Sequence, residues 1–359
     1  MSDSRLTALR AKMKELEVDT FMVSQPENRR YVSGFTGSAG IVFVTADAAK
    51  LATDFRYYEQ VKLQAPDFEL IQLTGAAEKM LPEILTSLGS RRVAFESDVV
   101  THDLYQTFAK VMPEGMELVP TKEELYWMRA VKEADEIESL RKAVSLGDAA
   151  MDTMRAMLTP GMTEKEVAWK LEQEMRLAGA EKLSFDIICA AGPAGAMSHA
   201  VPSDRPIPAG VPIVIDMGCK FNGYCSDLTR TLIIGEPDAQ FREIYDTVLR
   251  AQERAETEIV PGMSGKDAHK LAAEVIGDAG YADKFGHGLG HGVGLAIHEL
   301  PRLSPVAEQP LQPGHVFSVE PGIYLPEWGG VRIEDMAVLL DDGVDVMTQT
   351  SKDPVVPIR

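Results

Sequence analysis

The chain has 359 residues, 45 % of them hydrophobic, with 55 acidic against 36 basic side chains and a formal charge of -19 at pH 7. That length and apolar content can supply two domains with a core each, and the acidic balance argues against a nucleic-acid partner, which requires clustered Lys and Arg. No apolar run approaches the roughly 18 residues of a membrane span and no signal-peptide pattern opens the chain, so a cytoplasmic protein without a membrane partner is expected.

The first ~120 residues alternate between helical and strand-like periodicity. Leu6, Leu9, Met13 and Leu16 mark one face of a first helix, followed by the strand-like DTFMV. After a turn at SGFTGSAG come GIVFV and KLATD, then RRVAF, a helix from about Thr101 to Met112, and MELVP. This alternation predicts an α/β domain. From Val119 to Arg141 the chain turns polar and charged and reads as a crossover into a long helix, so the boundary is placed there, with domains of 1–122 and 123–359. The remainder opens with helices through about Ala180 and then becomes rich in strands, with turn signals at AGPAGA, FNG, EPGI and PEWGG. Helices first and strands after predict an α+β domain whose helices cover one face of a curved sheet. Cys189, Cys219 and Cys225 sit in apolar or strand-like surroundings that suit reduced, buried thiols rather than a disulfide framework.

Within this second part, Val214–Ile234 reads as a β-hairpin with Asn222-Gly223 as a tight primed turn. That turn sets Asp216 across from Thr229 and Asp227 across from Gly218. Both aspartates then face one side as diagonal neighbours, roughly 7–8 Å apart at the backbone. In Gly286–Gly294 a glycine stands at every second position, which is hostile to a helix and implies close approach to the backbone. The spacing of His287 and His291 mimics the HExxH zinc motif, but the glutamate is missing and the glycines exclude the helix. A histidine in such a place is more often hydrogen-bonded within the fold, so residue type alone only weakly favours His291 as a ligand. Glu320 and Glu334 lie 14 residues apart on two strand-like runs, an even separation that lets both face one side.

Asp216, Asp227, Glu320 and Glu334 are all flanked by apolar, strand-like residues, as is His291. Four carboxylates and an imidazole so placed repel one another and are costly to desolvate unless cations neutralise them. A carboxylate-dominated set with one imidazole suits hard or borderline ions such as Mn, Co, Fe or Zn. A pair of such ions can acidify water and polarise a carbonyl, the logic of metal-assisted amide hydrolysis.

Taken in order, IDMGCKFNGYCSDLTRT, GHGLGHGVGLAIHE, EPGIY and GVRIED resemble the creatinase, aminopeptidase P and prolidase family. The first ~120 residues, with TDFRYYEQ, also look like that family's N-terminal domain, so the resemblance covers nearly the whole chain. It implies an α/β N-terminal domain followed by an α+β "pita-bread" catalytic domain with a curved, mainly antiparallel sheet. It further implies two divalent metal ions, manganese first among Mn, Co, Zn and Fe. Asp216 would chelate one, His291 and Glu320 the other, with Asp227 and Glu334 bridging. Glu320, His199 and His298 would be catalytic, the two histidines also steadying the substrate carbonyl. Arg302 matches a position that can take a substrate carboxylate, and Arg332 lies beside Glu334; an ion pair within the fold is the other reading of each. The intact ligand set and the size of the N-terminal domain point to cleavage before proline, and Arg302 tilts the reading to an Xaa-Pro dipeptide. Xaa-Pro aminopeptidase action on longer peptides and a non-catalytic peptide-binding module are the alternatives. Family members are commonly dimers or larger, so a homo-oligomer is expected.

Overall fold

A computed structural model of the chain describes residues 2–358, which fall into two compact units, Met1–Arg129 and Ala130–Arg359. The first is a six-stranded mixed sheet in the order Glu69–Leu73, Ala49–Asp54, Ile41–Thr45, Thr20–Val23, Arg92–Glu96, Glu117–Thr121. The expected first helix is Ser2–Glu15, and Leu6, Leu9 and Met13 are its buried stripe. Met22, Phe43, Val93 and Phe95 of the sheet pack with Leu81, Leu85 and Phe108 of two helices. Composition placed the boundary at 122/123; in the division by compactness the helix Glu124–Ala130 lies with the first unit through Arg129. Tyr31 donates to the Met128 carbonyl at 3.0 Å, and Arg129 to the Asn28 side chain at 2.7 Å.

The second unit builds one arrangement twice, as two helices on a sheet. Ala134–Met157 and Glu164–Leu177 cover a four-stranded sheet in the order Val355–Val356, Leu228–Ile234, Pro212–Met217, Ile188–Ala191. Their shared core holds Met151, Met154, Val167 and Leu171 against Ile213, Ile215, Met217 and Leu232. Ala239–Glu258 and Gly265–Asp278 pack over a second core with Phe317, Val319, Ile323, Val331, Ala337 and Leu339. The strands there form a five-stranded sheet, Glu299–Leu303, Gly290–Gly292, Val316–Val319, Asp335–Leu340, Gly343–Val346, and a two-stranded one, Gly322–Leu325 with Gly329–Arg332. The expectation of helices first and strands after is therefore corrected. The second helix pair lies between the two sets of strands, its apolar stripe (Phe241, Ile244, Val248, Ala251) demanding a sheet of its own.

Two long hairpins matter most. In the first, Asp216 stands across from Thr229, as its turn required. Asn222 and Gly223 take φ of 46° and 72°, the left-handed pair of a primed turn. The tip strands, Cys219–Phe221 and Tyr224–Cys225, keep that register but belong to a different sheet from the stem. In the second, the stem Val316–Val319 with Asp335–Leu340 and the tip Gly322–Leu325 with Gly329–Arg332 likewise share one register across a break. Continued through the breaks, these registers set Asp227 opposite Gly218 and Glu320 opposite Glu334.

The alternating glycines answer to the protein's own backbone. A Cβ on Gly290 would lie 1.9 Å from the Ser318 carbonyl, one on Gly292 2.1 Å from that of Leu300, and one on Gly288 2.9 Å from that of Leu303. Gly290→Ala must therefore push the Gly290–Gly292 strand off its neighbour, a strain of about 1–3 kcal/mol. Gly286→Ala, whose Cβ meets open space, should be nearly silent. Denaturant midpoints of the two variants check this; equal stability would contradict it.

Candidate metal centre

The breaks in the two hairpins bring the carboxylates together because they free the backbone there to bend while the register keeps side chains alternating. Ile213, Ile215 and Met217 pack toward the helices, which leaves Asp216 on the opposite face, where Thr229 also stands. Glu334 comes from the second hairpin and is tied to the first. Its N–H donates to the Thr229 carbonyl at 3.0 Å, and the Thr229 hydroxyl donates to Glu334 Oε2 at 2.6 Å. Arg230 donates to the Glu334 carbonyl at 2.6 Å and to Asp335 at 2.7 Å, so the strand carrying Glu334 is held from behind as well.

His291 enters from the glycine-rich strand. Its Nδ1 lies 3.1 Å from the Gly292 carbonyl, an acceptor, so Nδ1 carries the proton and Nε2 presents a lone pair. Nε2 is 3.4 Å from Glu320 Oε1 and 3.6 Å from Asp227 Oδ2. Three acceptors thus face one another. Asp227, His291 and Glu334 each offer one ligand atom, all within 4.8 Å of one another. Asp216 Oδ2 takes Arg332 Nη2 at 2.5 Å, while its buried Oδ1 has no hydrogen-bond partner among the described residues. Lone pairs converging without protons between them fit a cation.

The electrostatics agree. Burial drives the Asp227 and Glu334 carboxyls well above the ordinary range, and their neighbours add to it: Glu334, Asp216 and Glu320 for Asp227, Glu320 and Asp216 for Glu334. Asp216 and Glu320 are also raised by burial, against the opposing charge of Arg332. Burial lowers the His291 imidazole and favours the neutral form that can act as a ligand.

All five residues line one cavity of about 640 Å³ with His199, His298, Arg332, Tyr324, Asp186, Phe185, Ile187 and Ile297. His298 is exposed and meets His291 edge-on at 4.4 Å; His199 is exposed on a loop. Arg302 pairs with His291 across two strands but is exposed and outside the cavity wall. Arg332 is buried and committed to protein partners, Asp216, Thr229 and Tyr324. Sequence reasoning passed over Tyr324, although it closes the EPGIY motif. Its hydroxyl accepts from Arg332 at 3.1 Å and donates to His287 Nε2 at 2.9 Å, and His287 Nδ1 donates to the Gly288 carbonyl at 2.8 Å. Each direction in this chain is forced by Arg332, which only donates, and by the carbonyl, which only accepts. Both ring nitrogens of His287 are thereby engaged within the fold, while the residue lines the same cavity. Asp186 and Phe185 carried no sequence signal beyond an apolar neighbourhood.

Known proteins resemble this chain in sequence and fold. Residues 138–341 match metallopeptidase family M24, and residues 5–131 match the creatinase/prolidase N-terminal domain. The Xaa-Pro dipeptidase of Pyrococcus furiosus is 37 % identical over 97 % of this chain and 99 % of its own. A solved Xaa-Pro dipeptidase from Bacillus anthracis superposes with a TM-score of 0.96 at 37 % identity over the full length of both chains. An X-Pro aminopeptidase from Thermotoga maritima gives 0.88 at 36 %, covering 97 % of this chain and 100 % of its own.

A buried carboxyl with a raised pKa keeps its proton where the unfolded chain has released it, so the folded state binds more protons. Stability is then full below the ordinary values of 3.8 and 4.5 and is lost as pH rises through the folded ones. Chelator-treated protein should lose thermal midpoint as pH rises from about 4, less steeply in Asp227→Asn, and regain it on adding a divalent cation. A metal-free midpoint indifferent to pH and to cation would contradict this.

Proposed function

On the premise that the chain belongs to metallopeptidase family M24 and carries a creatinase/prolidase N-terminal domain, we propose that it is an Xaa-Pro dipeptidase, cleaving the peptide bond before proline. The observation that carries this reading is the convergence of Asp227, His291 and Glu334 at the floor of a cavity of about 640 Å³, a size suited to a small ligand. Asp216, Asp227 and Glu334 would hold one divalent ion, and His291 and Glu320, with Asp227 and Glu334 bridging, the second. Bound there, the ions would acidify water and polarise the substrate carbonyl. A hard, carboxylate-rich set favours manganese over softer choices.

The chain's own residues do the rest. Glu320, its Oε1 accepting from Ser318 at 3.2 Å, takes the proton of the attacking water. His298, its imidazole pushed toward the neutral form by partial desolvation and by the neighbouring His291, donates to the carbonyl oxygen as charge develops. His199 holds the same substrate group from its loop. Phe185, Ile187 and Ile297 form an apolar wall for the proline ring. Arg332 holds Asp216 in place, and Arg302, outside the cavity wall but with its charge felt at His291 and His298, reaches in for the carboxylate that ends a dipeptide. The likeness to two Xaa-Pro dipeptidases supports this choice; the likeness to an X-Pro aminopeptidase favours the second reading, longer peptides. A cytoplasmic homo-oligomer completes the proposal. Three buried free cysteines support the reducing compartment, and the family resemblance supports the oligomer.

Hydrolysis of an Xaa-Pro dipeptide should exceed that of an Xaa-Pro-Xaa-Xaa peptide under the same metal loading. Strong preference for the longer peptide would replace the dipeptidase with the aminopeptidase, and metal-loaded protein inactive on both would point to a binding module. Asp227→Asn and Glu334→Gln each remove a bridge, so kcat should fall by more than about 100-fold with loss of bound metal. Full turnover with two tightly held ions would overturn the ligand assignment.

A further inference from the structure

Lys132 and Glu299 form an ion pair at 2.7 Å with side chains only 1 % and 3 % exposed. Such a pair rarely adds stability over apolar residues of the same volume, so its place in the fold asks for another reason. Glu299 directly follows His298. Its Oε2 accepts the Ala296 N–H at 3.3 Å, and a Cβ on Gly294 would strike Oε1 at 2.0 Å. The carboxylate therefore fills the inside of the turn that carries Ile297 and His298. The same turn is held at its start, where Gly294 accepts from the Cys225 N–H at 2.8 Å and Leu295 accepts from Lys220 Nζ at 3.1 Å. Lys132 is itself anchored, its N–H donating to the Gly314 carbonyl at 2.9 Å and its Nζ to that of Ala130 at 3.3 Å. Only Ile297 and His298 project from this clamped turn into the cavity.

We propose that the buried Lys132–Glu299 pair is a positioning device for His298, setting the imidazole at the angle and depth from which it meets the substrate carbonyl. This rests on the reading of His298 as a residue that contacts substrate. Charge gives the arm a fixed length and direction, since Nζ and Oε1 have one deep minimum where apolar side chains would slide past each other. Lys132 and Glu299 are positioning residues and touch no substrate.

The test takes the whole metal-loaded enzyme. Lys132→Met with Glu299→Gln removes both charges of the pair together. Metal content should stay at the parent level, KM should change little, and kcat should fall on the order of 10- to 100-fold, the scale of a misplaced catalytic group. Lys132→Arg should keep most of the turnover. In metal-free protein labelled at histidine, the His298 ring resonance should shift or broaden in the double variant and stay in place with Lys132→Arg. If the double variant does not fold, Glu299→Asp, which keeps both charges and shortens the arm by one methylene, should lower kcat in the same way. Parent kcat together with an unmoved His298 resonance, in whichever variant folds, would overturn the proposal. Full turnover in His298→Ala with the ion pair intact would instead remove the role of His298, and the proposal with it.

Discussion

Mutual repulsion of four buried or half-buried carboxylates is the constraint around which the second unit is arranged. Asp216, Asp227, Glu320 and Glu334 stand close enough to raise one another's affinity for protons, and no apolar packing can offset several unpaired charges in one place. The surroundings supply what compensation they can. Arg332 reaches Asp216, the Thr229 hydroxyl reaches Glu334, and the Ser318 hydroxyl reaches Glu320. These contacts satisfy single oxygens and leave the centre of the cluster to acceptors alone, which is the electrostatic definition of a cation site.

Strand interruption is what makes the cluster possible. A continuous hairpin would carry Asp216 and Asp227 along one flat face, where Glu320 and Glu334 could not reach them. Breaking each hairpin between stem and tip, while keeping its register, turns the tip into another sheet and leaves an acid pair at each bend. Ile233 shows the consequence. Its strand contributes Leu232 and Ile234 to one core and Ile233 to the other, so the two halves pack through the sheet whose face carries Asp216.

What could be read in the sequence follows the range of the interactions. The Asn222-Gly223 turn and period-two alternation are local, so the pairing of Asp216 with Thr229 and the shared face of the aspartates were legible. The glycine alternation told of a close approach, though not that the visitors are the carbonyls of Ser318 and Leu300. The helices Ala239–Glu258 and Gly265–Asp278 were overlooked despite an apolar stripe at helical spacing, because the surrounding strand signals dominated the reading. Lys132 with Glu299, and Arg332 with Asp216, join residues 167 and 116 positions apart. No local pattern encodes such pairs, and they exist only once the sheets have closed.

That division has a chemical counterpart. Of the residues that would bind metal, Asp216 and His291 stand in strands, and Asp227, Glu320 and Glu334 stand in the short breaks between paired strands, where the flanking ladders fix the register before any ligand arrives. His199 and His298, which would meet substrate, sit on exposed loop or turn segments, where the backbone alone fixes little. For His298 the fold answers with side-chain clamps from Glu299, Lys132 and Lys220. His199 follows a short 3₁₀ turn, Gly192–Ala196, and no hydrogen bond of comparable kind holds its side chain among the described contacts. Under the proposed mechanism, His298 would thus be the imidazole held in place as charge develops on the substrate, by clamps that have no counterpart at His199 among the described contacts.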